Sequence, residues 1–324
     1  MSTIGILLCL CSAQPLASIG NGNEVWFVGD QDPTVLNFDS STKGFDYSIC
    51  RRISNDAFTP VQRLSRRPVD MVLHEGNIWF VDDVSGTSLY TLQLTRENRQ
   101  AHSRNISLQS VLEVEETPTG VVSLGSSIVV CYGGDTLQLH SFNGSVWEEL
   151  PSLNLASASV ASLEGELLAV APHQLGAELW SLIEGKWQGG EVVEMQGTFR
   201  EVLIKDRWPL LIFTEGQRGQ IIGLQESAPI EIGSFDVPKG RWSVVASPLG
   251  LSILGVERNG TTSVVDIGWP SGREVGRIEL KQEFLYGLSF LEKYPFLIAA
   301  LLLSLFILLR TRKATLKKQK NEGS

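Results

Sequence analysis

The chain has 324 residues, a net charge of −9, 43% hydrophobic residues and four cysteines. That hydrophobic fraction, with 8% aromatics, excludes a disordered chain, and so few cysteines exclude a disulfide-stapled miniature scaffold. A pI near 5.1 excludes nucleic acid as the expected partner, because binding phosphates needs a basic face.

Residues Ile4 to Cys11 form an apolar run, and small residues follow at Ser12, Ala13, Ala17 and Ser18. The pattern predicts a secretory signal peptide over 1–18, cut after Ala13 or Ala17; a buried first strand is the competing reading.

From about 20 to 284 no long amphipathic helical pattern occurs. Short runs rich in Val, Ile and Leu alternate with Gly, Asn, Asp and Ser clusters, which is strand-and-turn punctuation. The runs recur. Glu24-Val-Trp-Phe-Val-Gly-Asp30 matches Asn77-Ile-Trp-Phe-Val-Asp-Asp83, and similar runs stand at 127–132, 166–172, 209–214 and 249–256. With Trp26, Trp79, Val129, Ala169, Leu211 and Ile253 as anchors, the steps are 53, 50, 40, 42 and 42 residues. Such a period, with several strands per unit, predicts a β-propeller. A hairpin signal and a tryptophan recur at one phase, in Asn143-Gly-Ser-Val-Trp147 and Glu184-Gly-Lys-Trp187. Trp26 and Trp79 are expected at equivalent inner sites, Trp147 and Trp187 at equivalent outer ones, and all four largely buried.

The third unit, Ile128-Val-Val-Cys-Tyr-Gly-Gly134 through Trp147 to Leu150-Pro151, resembles a kelch repeat in its apolar strand, double glycine and spaced tryptophan. The other units carry Val28-Gly-Asp30, Val81-Asp-Asp83 and Val170-Ala-Pro172 where the double glycine would stand. The resemblance is therefore to a divergent kelch-type or generic propeller. The expected fold is all-β, a propeller of six blades over 19–284, with seven left open by the long stretch 41–69. Glu274–Gln282 is expected to complete the first blade and close the ring, leaving no free sheet edge.

Candidate chemistry is sparse. His74, His102, His140 and His173 lie at no metal-ligand spacing, and no catalytic, cofactor or metal set assembles from the sequence. Asp30/Asp32 and Asp82/Asp83 follow equivalent strands and suit either Ca²⁺ or turn capping. Cys50 and Cys131 are left after signal removal, as a disulfide or as two buried small hydrophobes. Three sequons stand at Asn105, Asn143 and Asn259; the last two precede Gly and also suit hairpin turns. The window 105–185 holds ten acids and no Lys or Arg. Glu115, Glu116, Glu148 and Glu149 belong to it, as an acidic docking sector or a solvated rim, next to the arginine-rich stretch 51–67.

Pro295 to Leu309 has no charged residue. Fifteen residues of helix reach only about 22 Å of the ~30 Å hydrocarbon core. Lys293 and Arg310 snorkel, and Tyr286, Phe290, Tyr294 and Phe296 suit the interface, so a span is expected over 294–310 after a juxtamembrane segment, 285–293. The tail 311–324, with Arg310 at its edge, carries six cations against Glu322; residues 1–294 hold 21 Lys and Arg against 35 Asp and Glu. The positive-inside rule then places the tail in the cytoplasm, as in a single-pass type I protein of the cell membrane. The expected function is binding of a protein or glycan partner outside the cytoplasm. A cell-surface hydrolase or lyase acting on polysaccharide is the alternative, and a truncated receptor relative a third.

Overall fold

The computed structural model describes residues 18–280 apart from 22–23, 31–46, 55–56, 65–67, 83–87, 94–101, 108–116, 226–227, 248 and 257–261. By internal contact the chain divides into 1–279 and 280–324. The expected signal up to residue 17, the membrane span and the basic tail lie outside the described residues. Among those described, no helix is long and apolar enough to cross a membrane.

Among the described residues, twenty-four strands build six four-stranded antiparallel sheets, each from four consecutive strands. The first sheet is β1 (Ser18–Asn21), β2 (Glu24–Asp30), β3 (Tyr47–Ser54) and β4 (Ala57–Leu64). The second is β5 (Pro68–His74), β6 (Asn77–Asp82), β7 (Ser88–Gln93) and β8 (His102–Ser107). The third is β9 (Pro118–Leu124), β10 (Ser127–Tyr132), β11 (Leu137–Phe142) and β12 (Trp147–Leu153). The fourth is β13 (Ser159–Leu163), β14 (Glu166–His173), β15 (Gly176–Ile183) and β16 (Lys186–Glu194). The fifth is β17 (Thr198–Lys205), β18 (Trp208–Glu215), β19 (Arg218–Gln225) and β20 (Ala228–Asp236). The sixth is β21 (Arg241–Ser247), β22 (Gly250–Val256), β23 (Thr262–Gly268) and β24 (Glu274–Leu280). First strands β1, β5, β9, β13, β17 and β21 neighbour one another in that order, and β21 meets β1. The fold is an all-β propeller.

Burial explains why the repeat shows in the sequence. The anchors Trp26, Trp79, Val129, Ala169, Leu211 and Ile253 all fall on second strands. In β10, β14 and β18 five successive residues are buried, because flanking strands cover the edges and neighbouring sheets cover both faces. Such strands read as continuous apolar runs. Outer strands β12 and β16 are mostly exposed and read as polar.

Two expectations are corrected. Glu274–Gln282 does not complete the first sheet: β24 is the fourth strand of the sixth, and the first sheet has four strands of its own. The stretch 41–69 holds β3 and β4, which finish that first sheet, so no additional sheet arises there. The tryptophans are less uniform than expected. Trp147 is buried, Trp79 and Trp187 are half-buried, and the Trp26 side chain lies outside the described residues.

Candidate functional site: a central channel and an open groove

The first strands line a central cavity of about 490 Å³. One position recurs around it. Four residues before the end of β5, β9, β13, β17 and β21 stand Asp70, Gly120, Ser159, Glu201 and Ser243. Three of these reach the following sheet in one way. Val121 N–H donates to Asp70 Oδ2 (2.9 Å), Val202 N–H to Ser159 Oγ (3.1 Å), and Val244 N–H to Glu201 Oε1 (2.8 Å). The hydroxyls of Ser243 and Ser18 bond across the seam between the sixth and first sheets. Gly120 is the departure, and its lack of a side chain has a use: a Cβ there would sit 3.3 Å from Asp70 Oδ2. His74 Nδ1 with Ser123 Oγ (2.8 Å) and Lys205 Nζ donating to the Ser247 carbonyl (3.2 Å) add further cross-sheet bonds.

Burial governs the two channel carboxyls. It pushes Asp70 up to about 6, against the pull of the Val121 and Met71 N–H groups. It pushes Glu201 up to about 7, opposed by Val244 N–H and reinforced by the charge of Asp70. Sequence reasoning missed this ring. Its occupants are two carboxyls, two hydroxyls and one glycine, so no single residue type marks the position.

The second feature lies between sheets. The register Phe142↔Trp147 in the third sheet matches Leu182↔Trp187 in the fourth and Leu224↔Pro229 in the fifth. Each tryptophan faces the preceding sheet. Trp147 packs with Phe142 at 4.6 Å and joins Val81, Leu89 and Trp79 of the second sheet. Trp187 Nε1 donates to the Pro151 carbonyl of β12 at 2.7 Å. In the sixth sheet the same hairpin carries Trp269, stacked edge-on against Trp208 of β18 at 5.7 Å. There Gly272 comes so near the Ile232 carbonyl of β20 that a Cβ would lie at 1.8 Å.

Between the fourth and fifth sheets the described core cluster contains no tryptophan. A groove of about 560 Å³ opens there. Leu167, Leu168 and Leu224 form a buried floor. Glu166, Gln188, Glu191 and Arg207 stand exposed at its rim. Arg207 is ion-paired with Glu164 at 3.3 Å. It occupies a turn in which both Asp206 (φ 49°) and Arg207 (φ 68°) are left-handed without a glycine, a conformation that costs of order 1 kcal/mol per residue.

The structure scatters the residues singled out from sequence. Cys131 is buried on β10 with a free thiol, raised by burial and by the charge of Asp70. Cys50 lies on β3, two sheets away, and the structure does not bring the two together. Asn143 is exposed in the β11–β12 turn, where its Oδ1 accepts from Ser145 N–H (3.1 Å) and Val146 N–H (2.9 Å). Asn105 lies on the outer strand β8, and Asn259 lies outside the described residues. Glu148 and Glu149 are exposed on β12; Glu115 and Glu116 lie outside the described residues. His140 is buried, 5.1 Å from the Tyr132 ring, and burial lowers its pKa against the pull of Glu149. Asp82 is buried and accepts from Tyr90 Oη at 3.0 Å. Among the described residues no three His, Cys, Asp or Glu side chains gather as a metal site.

These features define a propeller scaffold with a ring of hydrogen-bond acceptors around its channel, two of them carboxyls, and, among the described residues, an open groove between the fourth and fifth sheets. No protein-family model matches the chain, and no curated protein matches it either. Solved structures do match its fold. A lectin of Aleuria aurantia, in complex with alpha-methyl-L-fucoside, is 11% identical with a TM-score of 0.56, over 82% of this chain and 98% of that one. AofleA from Arthrobotrys oligospora is 14% identical with a TM-score of 0.59, over 83% and 86%. A chain of a nidogen/laminin complex is 9% identical with a TM-score of 0.53, over 81% and 92%.

Proposed function

We propose that this protein is a six-bladed, divergent kelch-type propeller that binds a protein or glycan partner outside the cytoplasm, held to the cell membrane by one span. The likeness of its propeller, over more than four-fifths of the chain, to a lectin crystallised with a fucoside is the observation that carries the binding reading. The six four-stranded sheets support the blade count. The signal-like start, the uncharged stretch 295–309 and the cationic tail support the anchor and the type I orientation. In this reading the acidic window 105–185 is a docking sector. Sites on propellers sit on loops and grooves that a rigid ring holds in place.

The test uses the full chain in sealed vesicles. External protease is expected to digest the bulk and leave a small C-terminal fragment, and protection of the whole chain overturns the topology. The same vesicles are expected to be retained on immobilised glycans, fucosides included, or on an immobilised protein. Retention on none overturns the binding reading.

A further inference from the structure

We propose that the groove between the fourth and fifth sheets captures an aromatic side chain of indole size from a peptide partner, with a lysine or arginine beside it. This rests on the binding-module reading and commits to its protein branch.

In the third, fourth and sixth sheets the hairpin between the third and fourth strands carries Trp147, Trp187 and Trp269. Each fills the gap toward the preceding sheet. In the fifth sheet the register position of Trp147 and Trp187 is held by Pro229. Pro229 is exposed and does not reach into the space between the sheets, and about 560 Å³ stays open beside its register partner Leu224. That size falls within the range of ordinary ligand pockets, roughly 300–1,000 Å³. Its floor keeps the aliphatic character that indoles cover elsewhere: Leu167, Leu168 and Leu224 are buried yet line the groove.

The rim sets the sign of the partner. Glu166 and Glu191 stand at the rim with one guanidinium, Arg207, whose charge is engaged by Glu164. A cation beside the aromatic anchor meets Glu166 or Glu191. None of the described lining residues is aromatic, so a sugar ring finds no flat π face to stack on, whereas an indole finds apolar walls. Aromatic anchors seated in apolar pockets with a polar rim are how many peptide interfaces concentrate their affinity.

The probe is Ac-Lys-Trp-Lys-NH2, with Ac-Lys-Ala-Lys-NH2 as control, titrated calorimetrically against the full chain in detergent micelles. The tryptophan peptide is expected to bind at least tenfold more tightly than the alanine peptide, and less tightly as salt rises. Pro229→Trp supplies the missing indole from within and is expected to weaken the tryptophan peptide at least tenfold. Glu191→Lys, on an exposed rim position that leaves the core untouched, is expected to weaken it severalfold. Equal affinity for both peptides, no binding of either, or affinity unchanged in both variants overturns the proposal. Loss of the groove while vesicles are still retained on a glycan leaves the binding-module reading standing. Peptide binding without any such retention leaves the groove standing alone.

Discussion

Glu201→Gln isolates the energetic role of the channel carboxyls. The folded state holds Glu201 near 7, against an ordinary value of 4.5, so folding favours the protonated form. The folded protein then binds more protons than the unfolded chain, and this contribution to stability falls as pH rises. The loss starts above the unfolded value and is complete once pH passes the folded value near 7. A difference of about 2.5 pKa units corresponds to at most about 3 kcal/mol at 1.36 kcal/mol per unit. Water reaching the carboxyl through the channel lowers this figure. Glutamine keeps the acceptor for Val244 N–H and carries no charge at any pH. Glu201→Gln is therefore expected to match the wild type at pH 4 and to exceed it by up to about 3 kcal/mol at pH 8. For a domain of this size that is roughly 6–12 °C in Tm. Thermal and urea unfolding of the full chain in detergent, followed by tryptophan fluorescence at pH 4, 6 and 8, measures the difference. A variant less stable than wild type at pH 8, or a difference that does not change with pH, refutes the reasoning.

Two further outcomes are expected. Trp187→Phe removes the bond from Nε1 to the Pro151 carbonyl and costs about 1 kcal/mol, while Trp187→Ala opens a second groove and costs roughly 3 kcal/mol; equal urea midpoints for the two variants contradict this. With Cys9, Cys11 and Cys50 replaced by Ser, Cys131, buried with a free thiol, is expected to react with a maleimide only after denaturation, and labelling of the native variant at the rate of a free thiol contradicts that.

The propeller was legible because of one strand in four. Second strands such as Ser127–Tyr132 and Trp208–Glu215 are covered on every side, so their composition is constrained and their period survives divergence. First strands are constrained at few positions. Asp70, Ser159, Glu201 and Ser243 divide between carboxyls and hydroxyls, with Gly120 as a fifth occupant, so no single residue type marks the position. The open groove was half-legible. Trp147 and Trp187 were readable at one phase, and 42 residues further on stands Pro229; an absence in a repeat acquires meaning only once the gap it leaves can be measured. The closure expected of Glu274–Gln282 failed because an alternating, mostly exposed strand such as Glu274–Leu280 fits the outer edge of any sheet equally well on pattern alone. Of the acidic window, Glu148 and Glu149 sit exposed on β12.

Because every sheet takes its four strands from consecutive sequence, the ring has one place where chain-distant parts must find each other. There β1 meets β21, and Ser18 lies 225 residues from Ser243. Closing a loop of that length costs about 5 kcal/mol of chain entropy. All other neighbouring sheets are joined by short links. Assembly should therefore run blade upon blade along the chain as it is made, with an open arc as the last species before the native ring. That arc exposes the apolar faces that its two end sheets turn toward each other in the closed ring, so the moment of greatest hazard for aggregation comes late and at a single locus. A covalent tie across the seam would act there alone, raising the barrier to opening while leaving the groove between the fourth and fifth sheets untouched.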